Sequence, residues 1–382
     1  MISVADRLHT VEEYYFSRKL KEVNLLKEHG KPIINLGIGS PDLLPPSRVV
    51  SAIVDSMQDA TAHKYQSYQG LPELRQAMAD FYKKHFSVSL SPKTEILPLM
   101  GSKEGVMHIS MAFLNEGDGV LIPNPGYPTY TSVTKLVGAT PLFYDLKEKN
   151  NWLPDFVALE KTHDLSKVKI MWINYPHMPT GTVAPNKFYE DVIEFAKRHN
   201  ILVVNDNPYS FILNQFPRSI LKYKNAKDHC LELNSLSKTF NMAGWRVGMV
   251  MGKSEYLDSI IKVKSNMDSG MFYGIQKGAI EALNCSDMWY LSLNSVYKKR
   301  RTLVWELAEA LNCTYDKNAT GMFVWAKLPE FVKSEEFIDT VLKNDSIFIA
   351  PGTIFGSNGE GYIRFSLCAE TEEIEEAIAR VK

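Results

Sequence analysis

The spacing of apolar and polar positions divides the chain into helices and short strands. From about residue 10 to 29 apolar residues recur at helical spacing (Val11, Tyr14, Tyr15, Leu20, Val23, Leu25, Leu26), and Gly30 supplies a C-cap. The segment KPIINLGIGSPDLLPP is a short apolar run followed by a Gly/Pro-rich turn. Helices are predicted from Ser47 to about Asp59, and again from Pro72 through ELRQAMADFYKKHF. From there to about Gly252, β-rich runs alternate with helical segments. The runs are EILPLM (95–100), GVLIPN (119–124), PLFYDL (141–146), KIMWIN (169–174), ILVVND (201–206), CLELNS (230–235) and RVGMVMG (246–252). This alternation predicts an α/β fold with a mostly parallel central sheet and helices on both faces. Continuous apolar runs such as ILVV predict strands buried on both sides.

After Lys253 the pattern changes. Residues 254–312 read as mostly helical, strands are predicted at 322–327, 347–350 and 362–367, and a last helix covers 371–382. The expected organisation is a large α/β domain, 47–290, and a smaller α+β domain built from 1–46 and 291–382.

Composition narrows the partners. The 382 residues are 45% hydrophobic and 23% charged, the balance of a soluble globular protein, and the net charge of −1 gives no pull toward nucleic acid or an anionic membrane. Neither is expected as a partner. Cys230, Cys285, Cys313 and Cys368 form no C-x-x-C pair, and the histidines offer no metal-ligand spacing, so no metal site is expected. MISVADRLHTVEEYY has no apolar signal-peptide core, and no apolar run approaches the ~18–20 residues of a membrane span. Reduced thiols and a cytoplasmic location are the expectation.

The densest chemistry lies in NSLSKTFNMAGWRVGMV (234–250). One reading is a Ser/Gly turn with an exposed lysine and a paired arginine. The other is a Schiff-base lysine, Lys238, beside an anion cradle of Ser235, Ser237 and Arg246. Further candidates stand at predicted strand ends, where open α/β sheets bind ligands. Gly101-Ser102-Lys103 opens a helix after EILPLM, either as an anion site or as a plain strand–helix joint. Tyr127 follows GVLIPN, as a stacking aromatic or a packed loop residue. Asp206 ends a very apolar strand, so its carboxylate needs a partner, either a protonated ring nitrogen or the next turn. Arg364 sits inside the apolar strand GYIRFSL and demands an anion.

Taken in this order, these segments resemble the fold-type I, class I/II aminotransferases that use pyridoxal 5′-phosphate (PLP), from LGIGSPD to GYIRFS. The resemblance implies a fold-type I PLP-transferase. It implies that Lys238 binds the cofactor covalently and then shuttles a proton. Arg246, Ser235, Ser237, Ser102 and the backbone at Gly101 and Lys103 would hold the phosphate. Tyr127 would stack on the ring, Asp206 would pair with its nitrogen, and Tyr209 would approach its O3′. Arg364 would bind the substrate α-carboxylate, beside Gly39. Tyr65 would reach the phosphate of a neighbouring subunit, which implies a homodimer. The side-chain pocket is expected to involve Tyr14, Tyr15 and Ile38. The runs GSKEGVMH and KSNMDSG look most like the aspartate-type and diaminopimelate-type branch.

The implied activity is reversible transfer of an α-amino group between an amino acid and a 2-oxo acid. One departure bears on it. The family usually reads N-P-T-G, with the Asn bonding the ring oxygen; here NYPHMPTG places Met178 there. A thioether donates no hydrogen bond, leaving Tyr209, His177 or a water as donor. A PLP-dependent C–S β-lyase or related lyase of the same fold is therefore the alternative. A PLP-binding transcriptional regulator is a third reading, disfavoured by the neutral charge and by the fold beginning within about the first thirty residues.

Overall fold

The computed structural model describes residues 2–13 and 15–382. Helix α1 (Tyr15–Glu28) and strand β1 (Ile34–Asn35) come first, then α2 (Ser47–Ser56) and α3 (Pro72–Phe86). The alternating stretch follows: β2 (Ile96–Leu99), α4 (Ser102–Phe113), β3 (Gly119–Asn124), α5 (Pro128–Leu136), β4 (Thr140–Asp145), α6 (Phe156–Thr162), β5 (Val168–Ile173), α7 (Asn186–His199), β6 (Leu202–Asp206), α8 (Ala226–His229), β7 (Cys230–Ser235), α9 (Leu236–Thr239) and β8 (Gly248–Met251). Beyond it lie α10 (Ser254–Lys264), α11 (Tyr273–Leu283), α12 (Asp287–Ala310), β9 (Thr314–Tyr315), β10 (Phe323–Lys327), α13 (Ser334–Asp345), β11 (Ile347–Phe348), β12 (Ala350–Pro351), β13 (Tyr362–Ser366) and α14 (Thr371–Val381).

The central sheet has seven strands in the order β2-β8-β7-β6-β5-β3-β4. Only β8 is antiparallel to its neighbours; the others share one direction. Strands β3, β6 and β7 are buried at every position, as their unbroken apolar runs require, whereas β4 at the edge is largely exposed. Val204, Ile170 and Leu231 are fully buried, and each such side chain contributes roughly 1.5–3 kcal/mol. The edges of α3 follow local rules: Pro72 stands at N1, basic residues fill the last turn, and Ser87 caps it at φ 57°.

Several expectations need correction. The helix expected from about residue 10 to 29 begins later, as α1 (Tyr15–Glu28), with a separate 3-10 turn, Asp6–Thr10, before it. The strand expected from Arg246 begins at Gly248, because Arg246 is left-handed at φ 57° and cannot extend it. The single strand expected at 347–350 breaks at Ile349 and serves two sheets. β11 pairs in parallel with β1, and β12 joins the antiparallel sheet β12-β13-β10-β9. The N-terminal segment therefore pairs with the C-terminal part of the chain. The boundary placed at 290 falls inside α12, whose Trp289 and Tyr290 pack on the large apolar cluster while Leu293 and Tyr297 belong to the C-terminal one.

Candidate active site

β2, β3, β6 and β7 all end at one edge of the sheet, and a cavity of about 720 Å³ opens there. This is where an open α/β sheet presents loops to a ligand. Arg364 enters the same space from β13. Ser102, Lys103, Tyr127, Asp206, Tyr209, Ser235, Ser237, Lys238, Arg246, Arg364 and Gly39 all line it.

Lys238 follows the N-cap Ser235 on the single turn of α9. Its Nζ donates to the Gly39 carbonyl at 2.6 Å. Burial pushes this ammonium below the usual lysine range; Cys368 opposes the shift, and the charges of Arg364 and Arg246 add to it. Gly39 has no room for a side chain: a Cβ would lie 2.3 Å from the Phe323 ring.

An anion cup lies beside it. The Ser235 and Ser237 hydroxyls are 2.9 Å apart, and the Ser237 N–H donates to Ser235 Oγ at 3.2 Å. Arg246 donates to the Ala243 carbonyl at 2.8 Å. Gly101, at φ 93°, lets this guanidinium approach, since a Cβ there would meet Nη2 at 2.1 Å. Burial, and then the charge of Arg246, hold the Lys103 ammonium below its ordinary range. Two cations, two hydroxyls and the first N–H groups of α4 form a donor set suited to a phosphate.

Asp206 is buried at the end of β6. Tyr130 donates to its Oδ2 at 2.9 Å, whereas Oδ1 is buried with no partner among the described residues. Burial raises this carboxyl to about 6, with the Tyr130 hydrogen bond opposing. An orphaned buried carboxylate oxygen facing a cavity fits a cationic ring nitrogen. Tyr130 is itself held by stacking on Trp172 at 4.9 Å and 5°.

Arg364 donates from Nη2 to the Gly37 carbonyl at 2.9 Å, and its Nη1 lies 3.3 Å from Met178 Sδ. Phe323 and Phe355 flank the guanidinium at 3.8 and 4.6 Å. Met178 thus faces Arg364 from the cavity wall, and its N–H donates to Asn174 Oδ1 at 2.8 Å.

Some expected residues stand elsewhere. Tyr65, expected at a neighbouring subunit's site, is 91% exposed and lies outside this chain's own cavity. Tyr14 lies outside the described residues. Tyr15 belongs to a different crevice, beside Glu335 and Asp339, because α1 turns positions 16, 17, 20, 21 and 24 toward the cavity instead. His177 is no substitute donor in this chain's cavity, because it does not line it: it is buried outside, with Nδ1 2.8 Å from Thr180 Oγ1, and burial lowers its pKa to about 3. Gly101 shapes the cup through its backbone, and Ile38 lines the cavity as expected.

Sequence reasoning missed Tyr130, Asn174 and the α1 wall. Asn174 donates to the Asp206 carbonyl, clamping the end of β6. Outside the cavity, Glu104, His108 and Asp268 have ligand atoms within 4.8 Å of one another. Lys264 already pairs with Asp268 at 2.9 Å in that cluster. Among the described residues, no helix is long and apolar enough to cross a membrane.

A family model described as aminotransferase class I and II matches residues 31–381. An LL-diaminopimelate aminotransferase of Halothermothrix orenii is 39% identical, covering 99% of this chain and 97% of the relative. One of Aquifex aeolicus is 40% identical, covering 100% and 99%. The substrate-bound BacF structure from Bacillus subtilis superposes with a TM-score of 0.94 at 35% identity, covering 100% of this chain and 97% of that one.

Proposed function

Since the chain belongs to the class I and II aminotransferases and is a PLP-dependent enzyme of that family, we propose the following roles for its residues and LL-diaminopimelate as its first candidate amino donor. The observation that carries the roles is one cavity holding Lys238, the partnerless Oδ1 of Asp206, the anion cup and Arg364. When bound, the cofactor supplies an aldehyde for an amine and a ring that withdraws electrons from the substrate Cα.

Arg246, Lys103, Ser102, Ser235 and Ser237 hold the phosphate. Asp206 would face the ring nitrogen, where burial makes its charge effective. Tyr127 would cover one ring face, and Tyr209 would stand near the ring oxygen. Arg364 holds the α-carboxylate, its guanidinium fixed by the Gly37 carbonyl and clamped by Phe323. Lys238 Nζ then takes the Cα proton. Its ordinary pKa of about 10.4 would leave it charged near neutrality, and burial beside two arginines favours the neutral amine that base work requires.

The active unit in this reading is a homodimer. On α2, Val50, Val54 and Met57 are exposed at spacings of one helical face, with Leu44 before them and Tyr65 after. A second copy covering this stripe would bring its Tyr65 toward the neighbouring phosphate cup. Light scattering giving the mass of two chains supports this; a monomer that turns over removes it. The free cysteines suit a reducing cytoplasm.

A panel of amino donors with 2-oxoglutarate as acceptor tests the activity. Acceptor-dependent product, with LL-diaminopimelate among the best donors, is expected. Pyruvate and ammonia released from cystathionine without an acceptor would instead indicate a lyase.

A further inference from the structure

The cavity wall is unevenly charged. Lys21, Lys103, Lys238, Arg246 and Arg364 line it, against the single carboxylate of Asp206. Four of these cations have tasks in the roles assigned above. Lys21 has none, and it stands at the outer end.

Its position follows from α1. Phe16 lies over the Arg364 guanidinium at 5.4 Å from its ring centre. Lys21 is five residues further along the same wall, about 7.5 Å of helical rise. Leu20 and Ile38 line the cavity alongside. One carboxylate site, an apolar passage and a second cation match a substrate with a carboxylate at each end of a short methylene chain.

Lys21 is also ready to engage. Its Nζ is 2.8 Å from Glu13 Oε1, which also accepts from Ser17 Oγ at 2.6 Å, and the Lys21 side chain is 70% exposed. An exposed pair of this kind contributes little to stability, so Lys21 leaves it at small cost. Glu13 meanwhile keeps the ammonium near the mouth when no substrate is bound.

Resting on the aminotransferase reading, we propose that Lys21 is a specificity residue that binds the distal carboxylate of a dicarboxylic amino acid or 2-oxo acid.

The test compares Lys21→Met and Lys21→Arg with the unaltered holoenzyme. The readout is the ratio of kcat/KM for L-glutamate to that for L-norleucine, which lacks the second carboxylate. Losing a charge-assisted contact should lower this ratio on the order of tenfold in Lys21→Met, mainly through KM, and Lys21→Arg should keep most of it. Calorimetry with glutarate and butyrate gives a second readout, with a similar selective loss for glutarate. An unchanged ratio and unchanged glutarate affinity in Lys21→Met overturn the proposal. If the unaltered protein turns over no donor, the aminotransferase roles fail, and glutarate binding alone still decides Lys21.

Discussion

Tyr130 donates its phenol hydrogen to Asp206 Oδ2 at 2.9 Å, and Asp206 Oδ1, buried in the same wall, has no partner among the described residues. The carboxylate is thus half satisfied by the fold. In the proposed roles, the missing half is a cation that the ring nitrogen of the cofactor would supply.

That arrangement costs stability before the cofactor binds. The carboxyl titrates at about 6 in the fold against 3.8 for the free group, so stability is fully present below pH 4 and lost as pH rises through 6. The shift corresponds to about 3 kcal/mol at neutral pH. Asp206→Asn keeps an oxygen for Tyr130 and removes the charge. Cofactor-free Asp206→Asn should therefore melt above the unaltered protein at pH 7.5 and lose that advantage near pH 4, while binding PLP more weakly. Calorimetric scans at the two pH values check this, and equal melting temperatures at pH 7.5 would count against it.

Glu232 carries the opposite lesson, a buried carboxylate satisfied entirely by protein. Tyr82 donates to Oε1 at 2.8 Å, and the Ile220 N–H and Asn205 Nδ2 donate to Oε2 at 2.9 and 3.1 Å. In Glu232→Gln the new amide would point donors at donors. The expected loss is about 2–4 kcal/mol in urea unfolding. A loss under about 0.5 kcal/mol, the scale of a surface change, would mean the network is dispensable.

Met178 stands where the family resemblance leads one to expect an amide. Met178→Asn restores a donor to the wall facing Arg364. One added hydrogen bond to the ring oxygen should slow PLP release about tenfold. The rate is read from cofactor absorbance after dilution into apo-enzyme trap. Unchanged or faster release would show that the thioether position does not face the ring oxygen.

Most strands of the central sheet were legible as apolar runs ending in a Gly, Pro, Asn or Ser turn, although β4 at the edge is largely exposed and β7 carries Glu232 within it. Asp206 and Arg364 were legible for a related reason: each is a charged residue that a local apolar context leaves in need of a partner, whereas Lys238 stood out among the hydroxyls and small residues of NSLSKTFN. Those partners were not legible. Tyr130 reaches Asp206 across 76 residues, and Met178 reaches Arg364 across 186. Nothing local in PGYPTYT distinguishes Tyr127 from Tyr130. The α1 wall was misjudged by one position, Tyr15 for Phe16, since a shift of one residue turns a helical side chain by about 100°. The break between β11 and β12 depends on pairing with β1 and β13, which no local pattern records.

The central claim is that Lys238 is the covalent anchor and proton carrier. Borohydride reduction of the holoenzyme, followed by proteolysis and mass analysis, should place a pyridoxyl group on the peptide containing Lys238. Lys238→Ala should carry none there and show no measurable turnover. A pyridoxyl group on another lysine, or a Lys238→Ala variant with unaltered rates, would contradict the account.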